Sequence, residues 1–414
     1  MKRIRVLTEL YFPEKTSTAY FLTEIAQGLA QKYSVRVITG DSMYETKSAP
    51  LPQYEVISHV EIQRCNGTAF NKNHLLGKLI NGCSRSVSIF LNALQHCHTN
   101  DVVLVVTNPP LLPLVALLLK FFKGCDFVLL VHDVYPEVLA ASGLSRANTP
   151  IYRGVQWMNC LIYRKASRVV TLGRDMTKIA YAKLSPDEGP SIVCIPNWAE
   201  TETIYPLSKQ TSPLLQQLNL IHKFVVLYAG NMGRTHDLPV LLAAAEVLAK
   251  EQSNIHFLFI GSGARKKWLE IYVQEHQLPN VTVLPYLPHD EKNVALNACD
   301  LGIISFLPGM AGVSVPSRMY NQMAAGKPIV AISDDWSELA QVVTEEQIGW
   351  VVPPGDRDTL LQVLRSASQQ SIGCAQMGKK AAAVVQAKYT LGHAVDAYQS
   401  MFDQVFSPSI RQIN

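Results

Sequence analysis

Two glycine-rich turns and an arginine have residue types and spacing that suit one kind of chemistry. Each turn follows an apolar run and precedes a helical pattern: Gly230, Asn231, Met232, Gly233 and Arg234 form the first, and Gly261, Ser262 and Gly263 form the second. Glycine at such a turn lets backbone N–H groups approach an anion, which the dipole of the following helix also favours. Ser317 and Arg318 open a third helix and add a cation. These residues predict a site for a phosphate group.

In the first half of the chain, His132 and Asp133 directly follow the apolar run 127–131. A neutral imidazole can bond a hydroxyl or orient it for reaction. Asp133 and Glu137 can place a hydroxyl or accept its proton. Each residue also has a structural interpretation, because a histidine can simply end a strand and an acidic residue can begin a helix. The residues alone leave both interpretations open.

Other acidic positions carry weaker signals. Glu338 can accept hydrogen bonds from hydroxyl groups or complement the positive end of a helix. Asp356 and Asp358 have the spacing of a metal-binding Asp-x-Asp pair, but they follow Pro-Pro-Gly and precede Thr-Leu-Leu. We therefore predict a helix cap there, and no metal. The eight cysteines include no Cys-x-x-Cys pair, which predicts reduced and buried thiols.

The elements that must position these residues alternate between strand and helix patterns. Strands are predicted at 4–7, 35–38, 102–106, 127–131, 169–172 and 192–195, and then at 224–228, 255–260, 281–284, 301–305, 329–332 and 350–352. This alternation predicts an α/β fold with two Rossmann-like domains of parallel strands and crossover helices. Ligands bind such sheets where strand C-termini and helix N-termini converge. Two such domains facing each other predict a cleft between them.

The segment 206–217 is polar and contains two prolines, so it is the best candidate for an interdomain linker. We predict an N-terminal domain over 1–205, a C-terminal domain over 206–388, and a final helical segment over 389–414 that packs back toward the first domain. The uncharged stretch 102–119 approaches the length of a membrane span. Its prolines instead predict a strand, a turn and an apolar helix. The alternative is a helix that touches the bilayer surface.

The charge distribution bears on partners and location. The net charge of +4 over 414 residues is too weak to indicate a nucleic-acid partner. Residues 1–200 nevertheless carry 21 Lys and Arg against 15 Asp and Glu, so the basic excess lies in the first half. A membrane surface or an anionic acceptor would suit that half. The N-terminus has no apolar stretch typical of a signal peptide, which predicts a cytoplasmic protein.

Seven short motifs run along most of the chain: Tyr11–Glu14, Asp133–Glu137, Pro196–Glu200, Tyr228–Gly233, Gly261–Gly263, Pro316–Pro328 and Gly349–Asp356. Their combination resembles retaining glycosyltransferase family 4, in particular the branch that builds O-antigen, capsule and colanic-acid-type exopolysaccharide. The resemblance implies a GT-B fold, which consists of two facing Rossmann-like domains. It also implies transfer of a sugar from a nucleotide-diphosphate sugar with retention of configuration, and neither a metal nor another cofactor.

The resemblance implies roles for the candidate residues. The donor side comprises the two glycine turns, Arg234, Ser317, Arg318, Asn321 and Glu338. The catalytic residues are His132 and Asp133. The acceptor side comprises Lys15, Thr16, Ser17, Thr18 and Glu137. Val313 and Asn321 stand where many members of the family have a pair of glutamates. Asn231 and Asp237 stand where they have an Arg and a Lys, so neutralising the phosphate falls to Arg234, Arg318, backbone amides or Lys327.

The implied partners are a nucleotide-sugar donor, with UDP preferred and GDP-fucose open, and a glycan or lipid-linked oligosaccharide acceptor. Peripheral contact with the inner membrane surface is expected, because the first half is basic and has apolar helices. Two alternatives remain open. One is a sugar-nucleotide epimerase of the same fold, and the other is a non-catalytic sugar-binding subunit of a polysaccharide assembly.

Overall fold

The computed structural model describes residues 2–14, 16–41, 51–68, 70, 75–143, 149–184 and 189–407. The chain divides into two units. The first unit comprises Met1–Pro136, Ala147–Pro196 and Gly392–Asn414, and the second comprises Glu137–Arg146 and Asn197–Leu391. The segment 206–217, predicted as a linker, is therefore part of the second unit, where Lys209 Nζ donates to Asp300 Oδ2.

The strands of the described residues are β1 (Arg3–Thr8), β2 (Ser34–Gly40), β3 (Tyr54–Ile57), β4 (Val60–Cys65), β5 (Val102–Val106), β6 (Asp126–Leu130), β7 (Arg168–Thr171), β8 (Ser191–Cys194), β9 (Phe224–Asn231), β10 (Ile255–Ser262), β11 (Val281–Leu284), β12 (Leu301–Ser305), β13 (Ile329–Ile332) and β14 (Gly349–Val352). Each of the twelve predicted strands is confirmed. The hairpin of β3 and β4 was not predicted.

The α-helices of the described residues are α1 (Ser17–Ala30), α2 (Leu75–His96), α3 (Leu112–Lys123), α4 (Glu137–Ala141), α5 (Pro150–Lys165), α6 (Arg174–Ala182), α7 (Pro213–Gln217), α8 (Leu238–Lys250), α9 (Lys266–Glu275), α10 (Lys292–Asn297), α11 (Arg318–Ala324), α12 (Glu338–Glu345), α13 (Arg357–Gln369), α14 (Ser371–Lys388) and α15 (Leu391–Phe406). α15 packs in the first unit, where Asp403 Oδ1 accepts a hydrogen bond from Tyr33 Oη at 2.8 Å.

Each unit is built on its own sheet. The first has the order β3-β4-β2-β1-β5-β6-β7-β8, and only β3 runs antiparallel, against β4. The second has the order β11-β10-β9-β12-β13-β14 and is parallel throughout. Parallel strands that are covered by helices on both faces have continuous apolar sequences, as the fully buried β5 does. Both sheets therefore confirm the Rossmann-like prediction.

The uncharged stretch 102–119 forms β5 and most of α3, and Pro113 lies in the first turn of that helix. A proline is tolerated there because the first-turn N–H groups have no partner within the helix. None of the helices in the described ranges is long and apolar enough to cross a membrane. The strand, turn and helix prediction is thus confirmed.

Gln322 of α11 is a polar side chain buried in the second unit. Neither its Oε1 nor its Nε2 has a hydrogen-bond partner among the described residues. The amide lies against Gly302 of β12, where an added Cβ would be 2.5 Å from Oε1. A buried polar group without a partner loses its hydration and gains nothing in return.

We expect Gln322→Met to raise the free energy of unfolding by about 1 kcal/mol, because it removes an unpaired amide whose burial costs ~1–3 kcal/mol. Methionine has a similar, unbranched shape and adapts to an irregular site. Equilibrium unfolding in urea measures the change. Gln362→Met, at an exposed position of α13, is the control and should have little effect. A destabilised Gln322→Met protein would contradict the prediction.

Candidate functional site

The two glycine turns lie side by side at the carboxyl edge of the second sheet. In the pairing of β9 with β10, Gly230 lies opposite Gly261 and Asn231 lies opposite Ser262. A Cβ on Gly261 would be 2.0 Å from the Gly230 carbonyl oxygen, and one on Gly263 would be 2.5 Å from Asn231 Oδ1. Both glycines also have positive φ, 155° and 145°. A side chain would prevent this close backbone approach.

Arg318, the first residue of α11, reaches the turn after β9. Its guanidinium carbon lies 5.1 Å from the centre of the Tyr228 ring. Its Nη2 donates to the Asn231 carbonyl oxygen over a long 3.4 Å. Gly230 leaves room for the guanidinium, because a Cβ there would be 3.3 Å from its carbon. The sequence prediction placed these residues on the donor side, and the structure brings them together.

The guanidinium of Arg318 has few acceptors. Its Nη1 is shielded from solvent and has no hydrogen-bond partner among the described residues. No carboxylate of those residues forms an ion pair with it. A cation in this situation gains strongly from an anion, since charge-assisted hydrogen bonds to phosphate or carboxylate are about twice as strong as neutral ones.

His236 completes this cluster and was not identified from the sequence. Its Nδ1 lies 3.0 Å from the Gly233 backbone nitrogen, and its Nε2 lies 2.8 Å from Arg318 Nη2. Burial, and then the charge of Arg318, lowers the pKa of His236 to about 2. The ring is therefore neutral and has one acceptor nitrogen. Since both neighbours are donors, the ring satisfies only one of them.

Arg265 is a second cation near the cluster that the sequence analysis did not single out. Its backbone N–H donates to the Met232 carbonyl oxygen at 3.0 Å. Its charge contributes to lowering the pKa of His236. A basic residue two positions after Gly263 was the signal available in the sequence. The positive charges around the site thus come from Arg318, at the start of α11, and from Arg265, which follows β10.

The buried histidines of the second unit predict a loss of stability in acid. Burial is the main cause that lowers the pKa of His236 from 6.5 to about 2 and that of His256 from 6.5 to about 4. For each histidine, at a pH between its lowered pKa in the folded protein and 6.5, the unfolded chain binds more protons than the folded chain. The free energy of unfolding therefore falls as the pH drops below about 6.5, by about 1.4 kcal/mol per pH unit for each histidine.

His256→Gln should remove one of these two contributions and leave a shallower pH dependence. Urea unfolding at several pH values between 6.5 and 4 measures the slope. His222→Gln changes an exposed histidine of the same unit and serves as the control. If the slope of His256→Gln equals that of the unmodified protein, the prediction is wrong.

Asn321 bonds a different part of the second unit. Its Oδ1 accepts from the Glu200 backbone nitrogen at 3.0 Å, and its Nδ2 donates to Glu200 Oε1 at 3.2 Å. Lys292 Nζ also donates to Glu200 Oε1. The side chain of Asn321, which we predicted to bind the donor, is thus engaged with Glu200, a residue to which the sequence analysis gave no role.

The remaining residues after β9 differ in exposure. Met232 is buried, and its backbone N–H donates to the Ser262 carbonyl oxygen at 2.7 Å. Arg234 is exposed. Lys327 precedes β13, at the opposite edge of the sheet, and its Nζ lies 3.5 Å from the Leu207 carbonyl oxygen. Of the three cations considered for phosphate, Arg318 reaches the first glycine turn from another helix, through its contact with the Asn231 carbonyl oxygen.

Two further helices begin at the carboxyl edge of this sheet. Ser317 directly precedes α11, and Glu338 is the first, buried residue of α12. Asp334, between β13 and α12, accepts from the Gly309 and Ala311 backbone nitrogens at 3.0 and 3.2 Å and so holds the loop after β12. Glu338 therefore lies at the same end of the second unit as the carboxyl ends of its strands.

Asp356 caps α13, as predicted. Its Oδ1 accepts from the Thr359 backbone nitrogen at 2.9 Å, and its Oδ2 accepts from Thr359 Oγ1 at 2.7 Å. These hydrogen bonds lower the pKa of the Asp356 carboxyl group. Within the described ranges, no group of three or more His, Cys, Asp or Glu side chains is arranged to hold a metal ion.

In the first unit, Thr107 holds the turn that contains His132 and Asp133. Its Oγ1 accepts from the backbone nitrogens of these two residues at 3.1 and 3.2 Å and donates to the Asp133 carbonyl oxygen at 2.9 Å. The contact exists because Thr107 follows β5 and the turn follows β6, which are neighbours in the sheet. Thr107 was not identified from the sequence.

The imidazole of His132 is neutral and incompletely bonded. Part of the residue is exposed, but its Nε2 is shielded from solvent and lacks a hydrogen-bond partner among the described residues. Burial lowers the pKa of His132 to about 4. At neutral pH the ring therefore offers one donor and one acceptor nitrogen.

The predicted acceptor-side residues are distributed over both units. Thr16 caps α1 by accepting from the Ala19 backbone nitrogen at 3.3 Å, and Ser17 and Thr18 form the first turn of that helix. Glu137 is the first residue of α4, in the second unit. Lys15 lies outside the described residues.

Two units, each built on a mainly parallel sheet whose strand ends meet helix N-termini, have the architecture of the GT-B fold. The chain is similar to Anabaena Alr3699/HepE, solved in complex with UDP and glucose, with a TM-score of 0.72, 18% sequence identity, and coverage of 98% of this chain and 100% of that one. The GT-B prediction is confirmed.

Sequence comparison assigns the family. The family model described as glycosyl transferases group 1 matches residues 215–384 of the chain. The chain is 30% identical to the probable glycosyltransferase WbjE of Pseudomonas aeruginosa over 392 residues. This alignment covers 94% of this chain and 95% of that protein. It is 27% identical to the putative colanic acid biosynthesis glycosyl transferase WcaI of Escherichia coli (strain K12), over 86% of this chain and 90% of that protein. The chain belongs to the group 1 glycosyltransferases.

Proposed function

We propose that this enzyme transfers a sugar from a nucleotide-diphosphate sugar to a glycan or lipid-linked oligosaccharide, with retention of configuration and without a metal. The observation that carries the proposal is the incompletely bonded guanidinium of Arg318 above two glycine turns. Backbone N–H groups at such turns and a fixed cation are the groups that stabilise a diphosphate. UDP is the preferred nucleotide, in line with the ligand of the similar Anabaena structure.

The proposed reaction breaks the bond between the anomeric carbon and the diphosphate oxygen. The electron pair of that bond stays on the departing diphosphate, where Arg318 and the turns at Gly230 and Gly261 would stabilise the new charge. A bond forms between the anomeric carbon and the acceptor oxygen. The proton of the acceptor hydroxyl passes to the diphosphate on the same face of the sugar, which gives retention.

Other side chains would support this step. We assign Glu338 to the ribose or sugar hydroxyls and Arg234 to the diphosphate. We assign His132 to the reacting sugar or the acceptor hydroxyl, because its neutral ring has a nitrogen without a partner. Asp133 and the first turn of α1 would face the acceptor, which we place at the cytoplasmic surface of the membrane.

Donor screening followed by product analysis tests the proposal. Thermal unfolding with UDP-, GDP- and dTDP-sugars identifies the donor by a raised Tm, because a ligand that binds the folded chain stabilises it. Mass spectrometry after incubation with the donor and lipid-linked acceptors then detects a product heavier by one sugar. Isomerised donor without such a product would instead indicate an epimerase, and binding without transfer would indicate a sugar-binding subunit.

A further inference from the structure

The segment with which the chain enters the second unit holds a carboxylate in a fixed position. Glu200 lies in this segment, and its backbone nitrogen donates to Asn321 Oδ1 of α11 at 3.0 Å. One residue earlier, the Ala199 backbone nitrogen donates to the Tyr389 carbonyl oxygen at 2.9 Å. Both hydrogen bonds join the segment to other parts of the same unit. The Glu200 side chain therefore extends from an anchored backbone.

The two oxygens of the Glu200 carboxylate have different surroundings. Oε1 accepts from Asn321 Nδ2 at 3.2 Å and from Lys292 Nζ. Oε2 lies 3.7 Å from His289 Nε2, which is too far for a hydrogen bond. No other side chain or backbone group of the described residues donates to Oε2. Since the side chain is 11% exposed, Oε2 is an acceptor that a ligand hydroxyl can use.

The ion pair with Lys292 makes this carboxylate compatible with an anionic ligand nearby. An isolated carboxylate would repel a diphosphate bound close to it. Lys292 places its positive charge on Oε1 and leaves Oε2 open. Glu200 can therefore accept hydrogen bonds beside a phosphate site without adding net negative charge.

Asn321 and His289 connect the carboxylate to the proposed diphosphate site. Asn321 is one helical turn after Arg318 on α11, so the two side chains share one side of that helix, about 4.5 Å apart along its axis. His289 follows β11, and the neighbouring β10 ends at the second glycine turn. Both connections lie at the carboxyl edge of the second sheet, as the two glycine turns do. Glu200 thus lies about one helical turn beyond the cation proposed for the phosphate.

A ribose attached to a diphosphate suits this arrangement. One carbon, C5′, separates the ribose ring from the phosphate ester oxygen, so the ring hydroxyls extend only a short distance beyond the phosphate. The 2′ and 3′ hydroxyls are adjacent donors, and an ionised carboxylate is an acceptor only. Dinucleotide-binding folds use an acidic side chain in this way for the ribose 2′-hydroxyl. A 2′-deoxyribose has one donor fewer.

We propose that Glu200 binds the ribose hydroxyls of the donor nucleotide, and that the enzyme therefore selects ribonucleotide donors over 2′-deoxyribonucleotide donors. Asn321 and Lys292 act through Glu200 and are positioning residues. Asn321 fixes the carboxylate and its backbone, and Lys292 balances its charge. Glu338 is then left for the hydroxyls of the transferred sugar.

This inference rests on the proposed function, because it needs a nucleoside diphosphate at the glycine turns of the second unit. Binding of that nucleotide needs neither an acceptor nor a transfer step. If no ribonucleoside diphosphate binds, the proposed donor class is wrong and the inference fails with it. If a ribonucleoside diphosphate binds no better than its 2′-deoxy counterpart, the inference alone is wrong.

Isothermal titration calorimetry of the full chain compares UDP with 2′-deoxy-UDP and GDP with 2′-deoxy-GDP. In the pair whose base the enzyme accepts, the ribonucleotide should bind about tenfold more tightly or better, because a missing hydroxyl leaves a charged acceptor without its donor. Glu200→Ala should weaken ribonucleotide binding by a similar factor and bring the ratio of the two dissociation constants close to one. Glu200→Gln keeps an acceptor oxygen without the charge and should have an intermediate ratio.

The ratio of dissociation constants separates ribose binding from a structural role. If Glu200 only anchored its segment, its replacement would weaken both nucleotides alike and leave the ratio unchanged. Glu202→Ala replaces an exposed glutamate of the same segment; it is the matched control and should change neither constant. Each variant must keep a cooperative thermal unfolding transition. The proposal is overturned if the unmodified protein does not discriminate within either pair, or if Glu200→Ala and Glu200→Gln discriminate as strongly as it does.

Discussion

We expect Arg318→Ala to lower kcat/KM for the nucleotide-sugar donor by about 100- to 1,000-fold, the usual effect of removing one fixed donor from a developing negative charge. Arg318 lies over the turn after β9 with its Nη1 unbonded among the described residues, so its hydrogen-bonding capacity is available to a ligand. Initial rates over a range of donor concentrations measure the loss. The rise in Tm caused by the donor should shrink in parallel.

Arg357→Ala is a matched control for this variant. Arg357 is also the first residue of a helix in the second unit, α13, but it is exposed and paired with Asp358. Its replacement should leave kcat/KM unchanged. Arg318→Lys should recover part of the activity, because an ammonium group keeps the charge but lacks the planar pair of donors. Unmodified turnover in Arg318→Ala would remove this residue from the donor site.

Arg318 Nη2 and the Gly233 backbone N–H compete for the single acceptor nitrogen of His236. If Nδ1 of His236 accepts from Gly233, then Nε2 carries the proton and faces Arg318 Nη2, which is also a donor. A bound phosphate would relieve this conflict, because it can accept from Arg318 and from the Nε2–H together. The neutral state needed for this arrangement holds at any ordinary pH, since the pKa of His236 is about 2.

Most of the sheet architecture could be predicted because buried parallel strands are short apolar runs between turn residues. The hairpin of β3 and β4 could not be predicted from the sequence. Tyr54 and Val56 of the edge strand β3 are exposed, so no apolar run marks it. Its turn consists of Ser58 and His59, which have φ values of 48° and 65°, whereas such turns are usually recognised by Asn-Gly or Asp-Gly.

The candidate site shows the same division between local and long-range signals. The turns at Gly230 and Gly261 could be predicted from a few adjacent residues. Thr107 and His236 could not, because each acts through a contact with a residue on another strand end or helix. Such contacts depend on the strand order, and a sequence pattern gives the strands without giving their neighbours. The engagement of Asn321 with Glu200 was missed for the same reason.

We expect His132→Ala to lower kcat by about 100-fold, as for the loss of one fixed hydrogen bond at the reacting centre. The Tm shift caused by the donor nucleotide should stay the same, because His132 belongs to the first unit and the proposed phosphate site belongs to the second. His98→Ala replaces an exposed histidine of the first unit and is the control. Equal kcat in His132→Ala and the unmodified enzyme would contradict the assignment.

The pH dependence distinguishes a neutral hydrogen-bonding role for His132 from a titrating one. Burial lowers the pKa of His132 to about 4, so its ring does not change charge near the ordinary histidine value of about 6.5. His132→Asn keeps a neutral N–H donor and should recover part of kcat. The unmodified enzyme and His132→Asn should then have the same pH profile of kcat above pH 5 or so. A limb near pH 6.5 in the unmodified enzyme that disappears in His132→Asn would show that the ring titrates during catalysis, which its buried Nε2 opposes.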